Sequence, residues 1–230
     1  MKRARPTPGI GRPLRSFDRI ARVYRVLEYA SFGRALQRTR ERYLSEMDDA
    51  RQVLALGDGD GRFLAALMTR NQRVRAVAID ASERMLELLA ARCSAARDRL
   101  VIQQGDLRQD APALLAATAT EAPIDVVVSH FFLDCLTEAE LRALVQAVRP
   151  RLSPAARWIL SEFRAPPRGL MRPVSRALIR SLYFFFWLVT GLAVRQMPDY
   201  ARLLEEAGFR REARELQLLG LLTSEIWRRT

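Results

Sequence analysis

A chain of 230 residues with 49% hydrophobic content can bury one sizeable core and is short for two independent ones. Its net charge of +12 permits contact with nucleic acid, anionic lipid or acidic substrates without choosing among them. All but Lys2 of the 38 basic residues are arginine, scattered along the chain and not gathered into one stripe, as biased genomic composition alone would produce. Cys93 and Cys135 are the only cysteines and His130 the only histidine, which excludes a disulfide framework and a structural zinc pattern; a reducing, cytoplasmic setting with no metal is the expectation.

Residues 1–15 are basic and rich in Pro and Gly, with no apolar core of a secretory signal after them, so a flexible arm is expected ahead of one domain over 16–230. Within 16–48, Phe17, Ile20, Ala21, Tyr24 and Leu27 recur at helical spacing and predict one or two helices. Short apolar runs then alternate with helix-period segments: RQVLAL, VRAVAID, RLVIQQGD, IDVVVSH and RWILSEF. That alternation predicts an α/β fold, a doubly wound parallel sheet covered on both faces. Thr137 and Glu140 have capping-box spacing ahead of the stripe Leu141, Leu144, Val145 and Val148. A last helix is bounded by Pro198 and Gly208. Two strand-like stretches, REARELQLL and LLTSEIWRR, joined through Gly220, predict a closing antiparallel hairpin with no helix between them.

The segment 166–197 stands apart. Ser181 to Val194 carries no charge and is dense in aromatics, and Arg168, Arg172, Arg176, Arg180 and Arg195 flank it. A membrane span needs about 20 apolar residues, so the stretch reads either as a buried helix or as an apolar lid over the site that also dips into an anionic bilayer surface. Both can hold together.

The chemistry begins at VLALGDGDG. Ligands of open parallel sheets sit beyond the carboxyl ends of the strands where the winding reverses, and Gly57, Gly59 and Gly61 permit tight turns and close approach there. A dinucleotide fingerprint wants its third glycine one position later, where Arg62 stands, and no lysine follows for a P-loop. Asp58 and Asp60 decide between anionic and cationic ligands: two unit charges about 4 Å apart at an effective dielectric near 20 interact by roughly 4 kcal/mol. A pyrophosphate is disfavoured by that sign, and a ligand carrying a sulfonium and an ammonium is favoured.

From Phe17 to the C-terminus, with VLALGDGDG, VAIDASERML, VIQQGD and IDVVVSHFFLDCL in order, the chain resembles the class I S-adenosylmethionine-dependent methyltransferases. FDRIARVY and SHFFLDCL bring it nearest to their small-molecule, quinone or lipid branch. The resemblance implies a Rossmann-like seven-stranded sheet ending in an antiparallel hairpin, and S-adenosyl-L-methionine as cofactor. It implies that the loop of Gly57, Gly59 and Gly61 approaches the methionine part and that Asp80 holds both ribose hydroxyls, a task suited to a carboxylate with two acceptor oxygens. Ala81 and Met85 would line the adenine. Asp106 would accept from the adenine amino group beside the Leu107 backbone, and Ser129 and His130 would face the methyl group. The acidic residue that the family commonly has at the third position of VLALG is Ala55 here, so either Asp58 or Asp60 takes over the ammonium, with Asp58 preferred because it lies within the turn, or cofactor affinity is lower than is usual in the family.

Methyl transfer is an in-line displacement, which asks chiefly for alignment and exclusion of water. His130 is the candidate base for an acceptor that arrives protonated; Asp134, which also reads as a solvated helix-start residue, and Tyr24 are weaker candidates for orienting it. The apolar segment favours a small lipophilic or aromatic acceptor, with peripheral contact at the inner membrane face. Nucleic acid is disfavoured: no N-P-P-aromatic motif follows the fourth strand, and the order of residues does not reveal one surface on which basic residues interleave with exposed aromatics, as strand binding asks. Two other classes compete, an NAD-linked oxidoreductase and a non-catalytic membrane-surface or cofactor-binding protein on the same fold.

Overall fold

In the computed structural model, which describes residues 34–118, 122–164 and 198–230, each apolar run becomes a strand: β1 (Gln52–Leu56), β2 (Arg75–Asp80), β3 (Leu100–Gln104), β4 (Ile124–His130) and β5 (Leu152–Phe163). The helices among the described residues are α1 (Ala35–Arg40), α2 (Arg62–Arg70), α3 (Glu83–Arg92), α4 (Leu107–Ala117), α5 (Glu138–Val148) and α6 (Tyr200–Glu206), followed by β6 (Phe209–Gln217) and β7 (Leu222–Arg229). The arm 1–15, the helices expected over 16–33 with Tyr24, and the segment 166–197 lie outside the described residues.

The strands form one sheet in the order β3-β2-β1-β4-β5-β7-β6. Pairing is parallel from β3 through β5, and β7 runs antiparallel to both of its neighbours. The chain winds outward from β1 to β3 and then resumes at β4 on the other side of β1. The reversal opens a crevice at the carboxyl ends of β1 and β4.

Both faces of the sheet are covered, which is why the strands read as continuous apolar runs. Val53, Ala55, Ala76, Ala78, Val126, Val128 and Ile159 pack under α2 and α3 through Phe63, Leu64, Leu67 and Leu89. Leu54, Leu56, Val77, Ile79, Val127, Trp158 and Leu160 pack under α4, α5 and α6. The predicted capping box is formed, with Glu140 N–H donating to Thr137 Oγ1 and Thr137 N–H to the Glu140 carboxylate at 2.7 Å. Asp199 caps α6 by accepting from Arg202 N–H at 3.1 Å, and Gly208 takes the chain out of it at φ +83°.

Three local features depart from the sequence pattern. β5 begins five residues before the RWILSEF run, across a register shift between Ile124 and Val126. α4 is kinked at Asp110, whose carboxylate accepts from Ala113 N–H at 3.0 Å beside Pro112, a residue with no N–H of its own. The closing hairpin has a single 3-10 turn, Leu218–Gly220, where no helix was expected. Several arginines close helix ends at the base of the sheet: Arg99 donates to the carbonyls of Val74, Asn71 and Met68 at 3.0, 3.3 and 3.3 Å, and Arg229 to that of Leu152 at 2.8 Å.

Candidate functional site

The loop from β1 to α2 is left-handed at each glycine, φ +65° at Gly57, +61° at Gly59 and +75° at Gly61. A Cβ at Gly57 would lie 2.4 Å from the Phe132 ring, and one at Gly61 would lie 2.9 Å from Leu89 Cα. Those two glycines admit neighbours from the rest of the chain. At Gly59 the nearest atom to a Cβ is Met85 Sδ at 4.0 Å; the space there is open, with Met85 at its edge.

Carboxylates surround the open position. Asp80, at the end of β2, accepts from Gly59 N–H at 3.2 Å and from Ser82 N–H at 2.9 Å; burial raises its carboxyl, and these backbone donors oppose the rise. Asp58 accepts from Leu64 N–H in the first turn of α2 at 3.2 Å. Although part of its surface stays open, the dense surroundings push its carboxyl up to about 7, with the Leu64 N–H and the Arg40 charge pulling the other way. Asp60 is committed elsewhere, forming ion pairs at 3.0 Å with Arg62 and Arg92.

Asp106 caps α4 by accepting from Arg108 N–H at 3.0 Å, and both its oxygens meet the Arg108 guanidinium at 2.8 and 2.6 Å. Burial works to raise this carboxyl; the Arg108 donors outweigh it and bring it below its ordinary value. Leu107, the first residue of α4, has an N–H with no acceptor inside the helix. Ala81 is half-buried beside Asp80. The structure thus brings Gly57, Asp58, Gly59, Gly61, Asp80 and Met85 to one loop cluster, with Asp106 and Leu107 at the next strand end but one along the sheet.

At the end of β4 the alternation of the strand separates two residues expected side by side. Ser129 and His130 are the last two residues of β4 rather than residues after it, so their side chains take opposite faces of the sheet. Ser129 is buried and accepts from Trp158 Nε1–H at 2.9 Å; its hydroxyl serves the core. His130 is 5% exposed and packs edge-on against Phe63, ring centroids 4.4 Å apart. Ser161 Oγ, 3.1 Å from His130 Nδ1, donates to the Thr39 carbonyl at 3.0 Å, so its oxygen accepts from Nδ1–H and the lone pair falls to Nε2. Nε2 is buried with no hydrogen-bond partner among the described residues. Burial first, and the Arg40 charge second, lower the His130 pKa to about 3.

The turn after β4 is strained and braced. Phe131 takes φ +56°, a costly conformation for a bulky side chain. Its ring lies 5.0 Å from that of Phe163, with the Arg40 guanidinium 5.1 Å above it. Phe132 fills the space beside Gly57. Glu162, fully buried near the end of β5, accepts from Phe132 N–H and Leu133 N–H at 3.3 and 2.9 Å; burial, and then the Asp134 charge, raise its carboxyl well above its ordinary value. Asp134 is 7% exposed and not a solvated residue. Burial raises both cysteine thiols, and no cluster of metal-ligating side chains exists among the described residues.

Sequence reading missed Glu162, Arg40 and Phe132. Glu162 had a signal, a carboxylate near the end of a strand otherwise apolar; the other two had none, because their roles depend on neighbours far along the chain.

Residues 53–155 match a family model described as a methyltransferase domain. No curated protein matches the chain by sequence. Among solved structures, mitomycin 7-O-methyltransferase superposes with a TM-score of 0.67 at 17% identity over 93% of this chain and 60% of its own. An O-methyltransferase family 2 protein from Planctomyces limnophilus, in complex with apigenin, gives 0.65 at 15% identity over 91% and 62%. The N-methyltransferase NodS from Bradyrhizobium japonicum, in complex with S-adenosyl-L-homocysteine, gives 0.60 at 16% over 86% and 88%. The chain thus spans about three-fifths of the first two and most of the third. The methyltransferase-domain match covers the sheet's glycine loop and the three strand ends that follow it, and over those residues the chain is similar to that family.

Proposed function

We propose that this chain methylates a small, lipophilic or aromatic acceptor, and that the open position at Gly59, between Asp58 and Asp80, receives the methionine and ribose parts of S-adenosylmethionine. The observation that carries this reading is the contrast among the glycines: two are closed by the protein's own side chains and one is not. S-adenosylmethionine supplies an electrophilic methyl on a positively charged sulphur. Asp58 is assigned the ammonium, since Asp60 is already held by two arginines. Asp80 retains acceptor capacity beyond its backbone donors and is assigned the ribose diol. Met85 and Ala81 are assigned the adenine rim. Asp106 and the Leu107 N–H are assigned its amino edge, with Asp106 sharing its oxygens with Arg108.

His130 is assigned the acceptor group. Its free lone pair at Nε2 suits a hydroxyl or amine proton, and its lowered pKa makes it a hydrogen-bond acceptor that orients the nucleophile more than a base that takes its proton. His130→Phe is expected to lower kcat while leaving the pH profile between about 6 and 9 unchanged in shape; a limb near neutrality that disappears in the variant would restore the general-base role.

The acceptor class rests on the uncharged, aromatic stretch Ser181–Val194 and on the apigenin complex of a structural neighbour. Contact with the inner membrane face belongs to the same reading; no helix among the described residues is long and apolar enough to cross a membrane. Thermal unfolding with added S-adenosyl-L-homocysteine tests the core of it. A ligand specific for the folded state raises the melting temperature by mass action, and Asp80→Ala is expected to abolish that rise while NADH produces none in either protein. A rise with NADH alone would replace the methyltransferase by an oxidoreductase, and wild-type protein indifferent to both ligands would leave a non-catalytic adaptor.

A further inference from the structure

The β6–β7 turn presents an unusual combination. Leu216, Leu218 and Leu219 are 50%, 47% and 78% exposed, and Leu218 and Leu219 both hold left-handed backbone, φ +48° and +55°. Turns in that region normally take Gly, Asn or Asp, and an L residue with a bulky side chain is strained there. Leucine at both positions is therefore the expensive choice locally, and the side chains it projects go to solvent instead of the core.

The turn lies at the carboxyl end of β5, the end that carries the candidate site, since Leu222 pairs with Phe163 and Arg164 N–H donates to the Leu221 carbonyl at 2.7 Å. α1 is fastened beside it. Leu36 packs with Phe163 and Leu222, Thr39 Oγ1 lies 2.7 Å from Gln217 Oε1, and the Thr39 carbonyl accepts from both Ser161 and Ser224. Arg34 and Arg38 of this segment are exposed. Of the nearby acids, Glu215 is paired with Arg42 and Glu41 bonds to Gln37. The local balance beside the leucines is positive. The chain leaves the described residues at Arg164 and runs, in sequence, into the arginine-flanked uncharged stretch Ser181–Val194.

We infer that the β6–β7 turn and the exposed arginines of the α1 segment form a docking edge for an anionic phospholipid bilayer, with Leu218 and Leu219 entering the interface and Arg34 and Arg38 meeting phosphate headgroups. Apolar insertion and lipid charge act together in such contacts. The inference rests on the lipophilic-acceptor reading, which gives the site end a reason to face a membrane, and it adds the structural element that does so.

Sedimentation of the full chain with vesicles tests it. Wild type is expected to pellet with phosphatidylcholine vesicles containing a quarter phosphatidylglycerol, and weakly with phosphatidylcholine alone. The double variant Leu218→Asn, Leu219→Gly, which suits left-handed backbone, is expected to lose about tenfold or more in partitioning while melting no lower than wild type. Arg34→Gln with Arg38→Gln is expected to reduce only the dependence on phosphatidylglycerol. Wild type that pellets with neither vesicle, or a leucine variant that pellets like wild type, overturns the inference. So does a wild-type dimer that ignores vesicles and that the leucine variant dissolves, since a second copy then covers the turn. Binding of S-adenosyl-L-homocysteine by calorimetry is expected to be the same in all these proteins; its absence from a wild type that binds vesicles would sink the methyltransferase reading and leave the docking edge standing.

Discussion

An alanine Cβ at Gly61 would meet Leu89 at 2.7 to 3.0 Å, backbone included, whereas at Gly59 it would meet only the flexible end of Met85. Both substitutions strain left-handed backbone, but only the first also forces α2 and α3 apart. Gly61→Ala is expected to cost about 2–4 kcal/mol of stability and Gly59→Ala about 1 kcal/mol, read from chemical denaturation. Binding should rank the other way per unit of stability lost: Gly59→Ala is expected to weaken S-adenosyl-L-homocysteine by calorimetry in a chain that remains folded. Asp58 supplies a second residue-scale test. Its carboxyl titrates near 7 in the structure and near 3.9 when unfolded, so between those values the folded chain holds a proton the unfolded chain has released. Stability without ligand is therefore expected to fall as pH rises through that window. A cationic ligand prefers the ionised form, so cofactor affinity is expected to rise from about pH 6 to 7.5 and then level off. Asp58→Asn should flatten both trends; an unchanged affinity slope in that variant would assign the ammonium to another group.

At the scale of elements, the strands were legible because burial on both faces leaves an unbroken apolar run, and the capping box at Thr137 because its chemistry is complete within four residues. The early start of β5 was hidden by Ser153 and Pro154, which do not read as strand, and the kink of α4 by an alanine-rich stretch that outweighs Pro112. Ser129 shows a different failure. Period-two alternation already put it on the face opposite His130, and the family motif drew both toward the methyl group. Glu162 left a trace, a carboxylate near the end of an apolar strand, but its partners and those of Arg99 were beyond reach for a physical reason, since the groups each satisfies lie about thirty residues away in sequence. Arg99 gathers carbonyls from the end of α2 and the loop entering β2, and hydrogen bonds from a charged donor contribute about 1.5–3 kcal/mol. Arg99→Ala is expected to lower the melting temperature by several degrees without altering the fractional stabilisation given by S-adenosyl-L-homocysteine. Loss of that stabilisation would mean that the base of the sheet is coupled to the loop at its opposite end.

For the molecule as a whole, net charge misleads about what the site attracts. The chain carries +12, yet Asp58, Asp80, Asp106 and Asp134 collect at the carboxyl ends of the strands, where Asp60 and Asp106 hold Arg62, Arg92 and Arg108 in ion pairs, while Arg51, Arg75, Arg210 and Arg228 stand exposed at the other end, brought there by the parallel order of β1 to β5 and the reversed β7. A donor with a positive sulphur therefore meets repulsion from distant, exposed arginines and attraction from near, half-buried carboxylates. Salt distinguishes the two, because the screening length is about 10 Å at 0.1 M and about 3 Å at 1 M, and buried pairs are screened far less than exposed ones. Repulsion from the distant arginines is lost first. The dissociation constant of S-adenosylmethionine is thus expected to stay level or tighten between about 0.05 and 0.5 M sodium chloride, the reverse of an ordinary surface ion pair. Calorimetry along that series checks it: tenfold weakening would place the donor's charge on exposed groups, and the carboxylates around Gly59 would then have no claim to it.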